Sequence, residues 1–208
     1  MNALAQFGTL PVDFSTLASA FPNLRSPGEK IAALEKQGRV IRLKKGLFVV
    51  TPEDGQPPLS AELIANHLLG PSYVSLETAL AFHGIIPEAV RVTRSVCLKR
   101  GREFATPLGH FDYTRVAPDY FPIGIRRHDA GGGQAFLIAS PEKALCDMLV
   151  ATSNLRLQSA NAARAYFEEN LRVDFSAIEH PDVGIVRACA AAGSKQNSLR
   201  QLAKILPT

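Results

Sequence analysis

The segment TPEDGQPPLS, residues 51–60, holds three prolines and one glycine, so it can neither continue a helix nor serve as a central strand. It breaks the chain into a short patterned stretch and a long one. The expected organisation is an N-terminal domain over residues 1–52, a linker over 53–60 and a larger domain over 61–208.

With 46% hydrophobic and 20% charged residues, the chain can bury a substantial core, which excludes a disordered polymer. The amino terminus lacks a basic segment followed by an apolar run, and no run approaches the roughly 18 apolar residues that span a bilayer. A cytoplasmic protein without a membrane partner is expected. Cys97, Cys146 and Cys189 are odd in number and far apart, which fits small core side chains better than a disulfide framework or a zinc site.

The net charge of +4 is unevenly placed. Residues 1–52 carry seven basic side chains against three acidic ones, and the remainder carries sixteen of each. The excess is dense between Arg25 and Lys45, an asymmetry that points to a polyanion and above all to nucleic acid.

Local signals in that region come in a fixed order. Asp13 can cap a helix over FSTLASAF, which Pro22 stops. Ser26, Pro27 and Glu29 have the spacing of a capping box, so a second helix is expected to start there, bury Ile31 and Leu34, and end at Gly38. VIRL, KKG and LFVV then read as a β-hairpin. Helix, turn, helix, hairpin is the order of a winged helix-turn-helix. In such a module the second helix enters the major groove and the wing touches flanking phosphates. The expected DNA-binding residues are Arg25, Ser26, Lys30, Lys36, Gln37, Arg39, Arg42, Lys44 and Lys45, with Arg42, Lys44 and Lys45 on the backbone. Leu47, Phe48 and Val49 are expected to pack the wing against Ile31 and Leu34.

After the linker, helices are expected over SAELIANHLL and SLETALAFHG, and strands around RSVCLKR, HFDYTRV, IGIRRH and QAFLIA, with Gly131–Gly133 closing a hairpin. Ser140 and Pro141 open a helix over EKALCDMLVA, and the rest reads as helical. The overall expectation is α+β, with a small antiparallel sheet and C-terminal helices in the larger domain.

Catalytic constellations are weak. The five histidines show no HExxH spacing, Ser75 lacks the glycines of a nucleophile elbow, and the triple glycine lacks a phosphate-loop lysine. Glu142 and Asp147, five apart on one helix, share no face, so no acid–base pair emerges. No enzyme, metal or cofactor is expected.

GRVIRLKKGLFVV, YVSLETALAFHGII and IASPEKALCDML together, in this order, resemble the AbiEi family of bacterial antitoxins of type IV toxin–antitoxin systems. The resemblance implies a winged helix-turn-helix, and the sequence departs from the family's pattern in the few residues before Pro11, so that a short first helix is expected here. It implies repression of the protein's own promoter by binding double-stranded DNA at inverted repeats. It also implies a C-terminal domain that counters a nucleotidyltransferase-like toxin without a stable complex. Carried onto this chain, the antitoxin-domain motif falls on Tyr73, Ser75, Glu77, Pro141, Glu142, Lys143 and Asp147, while Leu76, Ala79 and Leu80 recur at helical spacing and serve packing. The competing reading is a protein-interaction module, or a regulator of another regulon with no cognate toxin.

Overall fold

The computed structural model describes residues 3–207. A 3-10 turn, Ala5–Phe7, precedes β1 (Val12–Asp13) and α1 (Phe14–Ala18). Asp13 caps α1 as its spacing predicts, Oδ1 accepting from the Thr16 N–H at 2.8 Å. The second helix, α2, runs Pro27–Lys36. Its capping box does not form, because Ser26 has ψ 73° in place of the extended value of Asp13 and its hydroxyl makes no capping bond. Gly38, at φ +70°, closes α2 in a Schellman turn. There the Gly38 N–H bonds the Glu35 carbonyl and the Arg39 N–H that of Leu34, each at 3.0 Å.

The hairpin follows as β2 (Val40–Lys44) and β3 (Leu47–Val50), turning at Lys45–Gly46, and β1 pairs with β3 to give the antiparallel order β1-β3-β2. Both faces of β3 are buried. Val40, Phe48 and Val50 join Leu4, Phe7, Leu17, Ile31 and Leu34 in a small N-terminal core. Leu43, Leu47 and Val49 join the core of the larger unit instead. The expectation that Leu47, Phe48 and Val49 all pack on α2 is therefore corrected: consecutive strand residues point to opposite faces, so only Phe48 reaches Ile31 and Leu34. A bulge between Arg42 and Lys44 leaves Lys44 opposite Leu47 and turns it toward the larger unit.

Residues 52–60 form neither helix nor strand. Beyond them come α3 (Ala61–Leu68), β4 (Ser72–Val74), α4 (Leu76–Phe82), β5 (Val92–Cys97), β6 (Arg102–Thr106), β7 (Gly109–Arg115), β8 (Ile125–Gly131) and β9 (Gln134–Ala139). Next are α5 (Pro141–Ala151), α6 (Ala160–Arg164) with a π-helical extension to Asn170, α7 (Val183–Ala192) and α8 (Gln196–Ile205). The sheet has six strands in the order β6-β7-β5-β4-β9-β8. It is mixed, and this corrects the expectation of a small antiparallel sheet in this unit: β5 with β7 and β4 with β9 run parallel. The fold class is α+β.

The sheet separates two layers. Tyr113, opposite Ser95, donates its hydroxyl to the Ala65 carbonyl of α3 at 2.6 Å, whereas Tyr73, opposite Val96, donates to Asp147 of α5 at 3.0 Å. Ser95 and Val96 are neighbours on one strand, so α3 and α5 cover opposite faces. A second tie joins the two units: the Gln134 amide donates to the Thr9 hydroxyl, with both side chains buried. Among the described residues no helix is long and apolar enough to cross a membrane.

Candidate nucleic-acid interface

Two constellations account for the residues singled out in the sequence. The first is the basic surface of the N-terminal unit. Because α2 and β2 run in opposite directions, the start of α2 lies beside the hairpin turn. Phe14 marks the junction: its N–H bonds the Gly46 carbonyl at 3.1 Å, and its ring lies 3.7 Å from where a side chain on Gly28 would begin. Arg25, Ser26 and Lys30 therefore share one end of the unit with Lys45, and all four are exposed. Lys36, Gln37 and Arg39 lie toward the other end of α2, Lys36 about 9 Å along the helix axis from Lys30 at 1.5 Å per residue.

Several of these cations are already engaged. Arg42 meets Glu35 through Nε and Nη2, the shortest contact being 2.6 Å, and lies 5.0 Å from the centre of the Phe48 ring. That ion pair draws the Glu35 carboxyl below its ordinary pKa and raises the Arg42 guanidinium. Arg39 pairs with Glu53 at 2.9 Å. Lys44 turns away from the α2 side, donating to the Leu68 carbonyl at the end of α3 and lying 5.8 Å from the Phe104 ring centre. Burial lowers its pKa, assisted by Lys99 and Arg102. Among the described residues Arg25, Lys30, Lys36 and Lys45 have no ion-pair partner.

The second constellation is sealed. Ser140 caps α5 with Pro141 in its first turn, and Glu142 accepts from the Ser140 hydroxyl at 2.6 Å and the Asp182 N–H at 2.9 Å. One turn on, the Asp147 carboxylate accepts from the hydroxyls of Ser75 (2.6 Å), Tyr120 (2.7 Å) and Tyr73 (3.0 Å) and lies 3.4 Å from the Lys143 ammonium. Lys143 also donates to the Tyr120 carbonyl at 2.9 Å and sits 3.2 Å from that ring's centre. Burial pushes the Asp147 carboxyl up, opposed chiefly by Lys143, and raises the phenols of Tyr73 and Tyr120.

Tyr73 and Ser75 of the YVSLET motif thus meet Lys143 and Asp147 of the SPEKALCD motif, some 70 residues on, in one cluster, whereas Glu142 is held by Ser140 and Asp182 and Glu77 lies elsewhere. Glu77 instead holds Arg94 at 2.7 and 2.8 Å, an arginine that also reaches Asp112 at 3.3 Å. Sequence reasoning missed Tyr120, whose neighbours Pro118 and Pro122 read as an ordinary loop. Lys143 and Asp147 have no solvent exposure at their side chains. Among the described residues no group of three or more His, Cys, Asp or Glu could hold a metal ion.

No family model matches the chain. No curated protein matches it either. Among solved structures, the chain is similar to one described as the crystal structure of RV2827C protein from Mycobacterium tuberculosis, at 12% identity and a TM-score of 0.45, over 96% of this chain and 77% of that one. A likeness that weak assigns neither a fold family nor a function.

Proposed function

We propose that the chain is a DNA-binding transcriptional repressor acting as the antitoxin of a type IV toxin–antitoxin system, with residues 1–52 forming a winged helix-turn-helix. The observation that carries the DNA-binding reading is the gathering of Arg25, Lys30 and Lys45 at one end of the N-terminal unit, exposed and without ion-pair partners among the described residues. The element order supports it: the 3-10 turn stands for a shortened first helix, α1 and α2 for the helix-turn-helix, and β2–β3 for the wing. In this reading the first turns of α2 enter the major groove, Lys30 reaches base edges or phosphates, and Lys45 holds the backbone. Lys36, Gln37 and Arg39 touch only flanking DNA.

The antitoxin role rests on the AbiEi resemblance of the larger unit. The partners would be the protein's own promoter, at inverted repeats, and a nucleotidyltransferase-like toxin. We read Lys143 and Asp147 as a structural pair that holds β4, α4 and α5 together, and the protein as non-enzymatic. Two experiments test the whole. Binding to the DNA upstream of its own reading frame, compared with a scrambled duplex, tests the repressor. Growth rescue on co-expression with the product of the adjacent gene tests the antitoxin, and failure of rescue while DNA binding persists would leave a regulator without a toxin.

A further inference from the structure

Glu77, the motif residue that stands apart from the Asp147 cluster, lines a cavity of about 380 Å³ beside α4, β5 and the end of the π-helical stretch. That volume lies within the range of roughly 300–1,000 Å³ found for small-molecule sites. Leu80, Ile86, Val92 and Leu171 give the cavity an apolar wall, and Glu77, Glu88, Arg91, Arg94 and Asn170 supply its polar groups. Their pairing decides which charge the cavity can take. Both carboxylates are spent: Glu77 accepts from Arg94, and Glu88 accepts from Arg172 at 3.0 Å. Arg94 uses Nη1 for Glu77 and Nε for Asp112, which leaves Nη2 without a hydrogen bond among the described residues. Arg91 and Asn170 likewise have no side-chain partner among them. The unanswered groups of the cavity are therefore N–H donors, two of them on arginines.

We propose that this cavity binds a small carboxylic acid with an apolar body, held as the anion by Arg91 and Arg94 while its body lies against Leu80, Ile86, Val92 and Leu171. Guanidinium donors match a carboxylate in geometry as well as charge. A cationic ligand is disfavoured, because Glu77 or Glu88 would have to give up an arginine to receive it. Arg94 and Arg172 already face carboxylates and Arg91 does not, so a singly charged acid suits the site better than a phosphate. The backbone points the same way. Two residues with side chains adopt left-handed conformations beside the cavity, Leu76 (φ +56°) next to Glu77 and Arg172 (φ +53°) next to Leu171, and the π-helical turn ends at Asn170. Such conformations cost free energy and recur at ligand sites. The cavity is also preformed: the Asp174 N–H bonds the Ile85 carbonyl at 2.8 Å, and together with the Arg172–Glu88 pair this ties the segments on two sides of it.

The test is calorimetric titration of the full chain with phenylbutyrate, its neutral counterpart phenylbutanol and its cationic counterpart phenylbutylamine. Phenylbutyrate should bind in the millimolar range or tighter, phenylbutanol on the order of ten-fold more weakly, and the amine not measurably. Arg91→Ala, at an exposed and unpaired position, should lose on the order of ten-fold toward phenylbutyrate and leave phenylbutanol unchanged. Ala89→Trp fills the cavity from an exposed position on its wall and, checked to melt like the wild type, should abolish binding of both. A wild type that does not bind phenylbutyrate overturns the site, as does a folded Ala89→Trp variant that binds it unchanged. Equal affinity for the acid and the alcohol overturns the role of the arginines, and a preference for the amine assigns the site to Glu77 and Glu88 against the proposal. None of these results bears on duplex binding, so the site and the repressor reading stand or fall separately.

Discussion

Lys143 and Asp147 stand one turn apart on α5 and meet at 3.4 Å with both side chains sealed from solvent. A buried pair of this kind gives little net stability over an apolar pair of the same size, yet removing one partner strands the other charge. Asp147→Ala should lower unfolding stability by about 3–5 kcal/mol, and Lys143→Ala by a similar amount. Replacing both together with apolar residues should cost clearly less than the two losses added. Urea unfolding monitored by circular dichroism measures all three. Additive losses would mean that the two residues act independently of each other.

Gly124 supports the same pair from the chain outside. It sits at φ +67°, its carbonyl accepts the Ser140 N–H at 2.8 Å, and a Cβ there would lie 2.8 Å from the Lys143 Cβ and 2.9 Å from the Ile185 Cγ2. Gly124→Ala should therefore destabilise by about 1–3 kcal/mol, combining left-handed strain with overpacking. A melting temperature equal to that of the wild type would show that the loop and α7 move aside freely.

His83 gives the larger unit an acid sensitivity. Its Nε2 lies 2.9 Å from the Ala139 carbonyl oxygen, and burial lowers its pKa, with Arg126 and His128 adding to the effect and the carbonyl and Glu142 opposing it. A depressed folded-state pKa contributes stability that is present above the ordinary imidazole value and lost as pH falls through the folded one. Stability should thus decline on the acid side of neutrality, and His83→Gln, which keeps an amide donor, should flatten that part of the pH profile. An unchanged profile in the variant would assign the decline to other groups.

Arg42 is expected to be nearly silent in DNA binding, because its guanidinium is committed to Glu35. Arg42→Ala should leave the salt slope of binding unchanged and cost about 0–1 kcal/mol of stability, as for other solvent-accessible pairs. A slope shallower by roughly 0.9 would show that Arg42 leaves Glu35 for a phosphate.

The elements with strong punctuation were legible in the sequence. Asp13, Gly38 and the Ser140–Pro141 pair mark helix ends by mechanisms that act locally, and the structure has them in those roles. Ser26 shows the limit of such signals, since its residue type suits a cap that its backbone conformation does not provide. LFVV carries no alternation, because both faces of β3 are buried, so its pattern could not say that Phe48 and Val49 enter different cores. β4, with three residues, and β6, a partly polar edge strand, lie below what periodicity resolves, and without them the parallel pairings were hidden. The cluster around Asp147 was half visible. Its motif residues stood out, but Tyr120 joins only through the fold, and the engagement of Arg42 and Lys44 depends on partners at a distance along the chain.

The central claim, a repressor of its own promoter, is tested most directly by the affinity of the full chain for the duplex upstream of its reading frame, measured against a scrambled duplex over a range of salt. If the four cations Arg25, Lys30, Lys36 and Lys45 of the N-terminal unit, unpaired among the described residues, contact phosphates, log K should fall against log salt with a slope near −3.6, and the promoter duplex should be preferred at every salt concentration. Equal affinity for the two duplexes would contradict the claim.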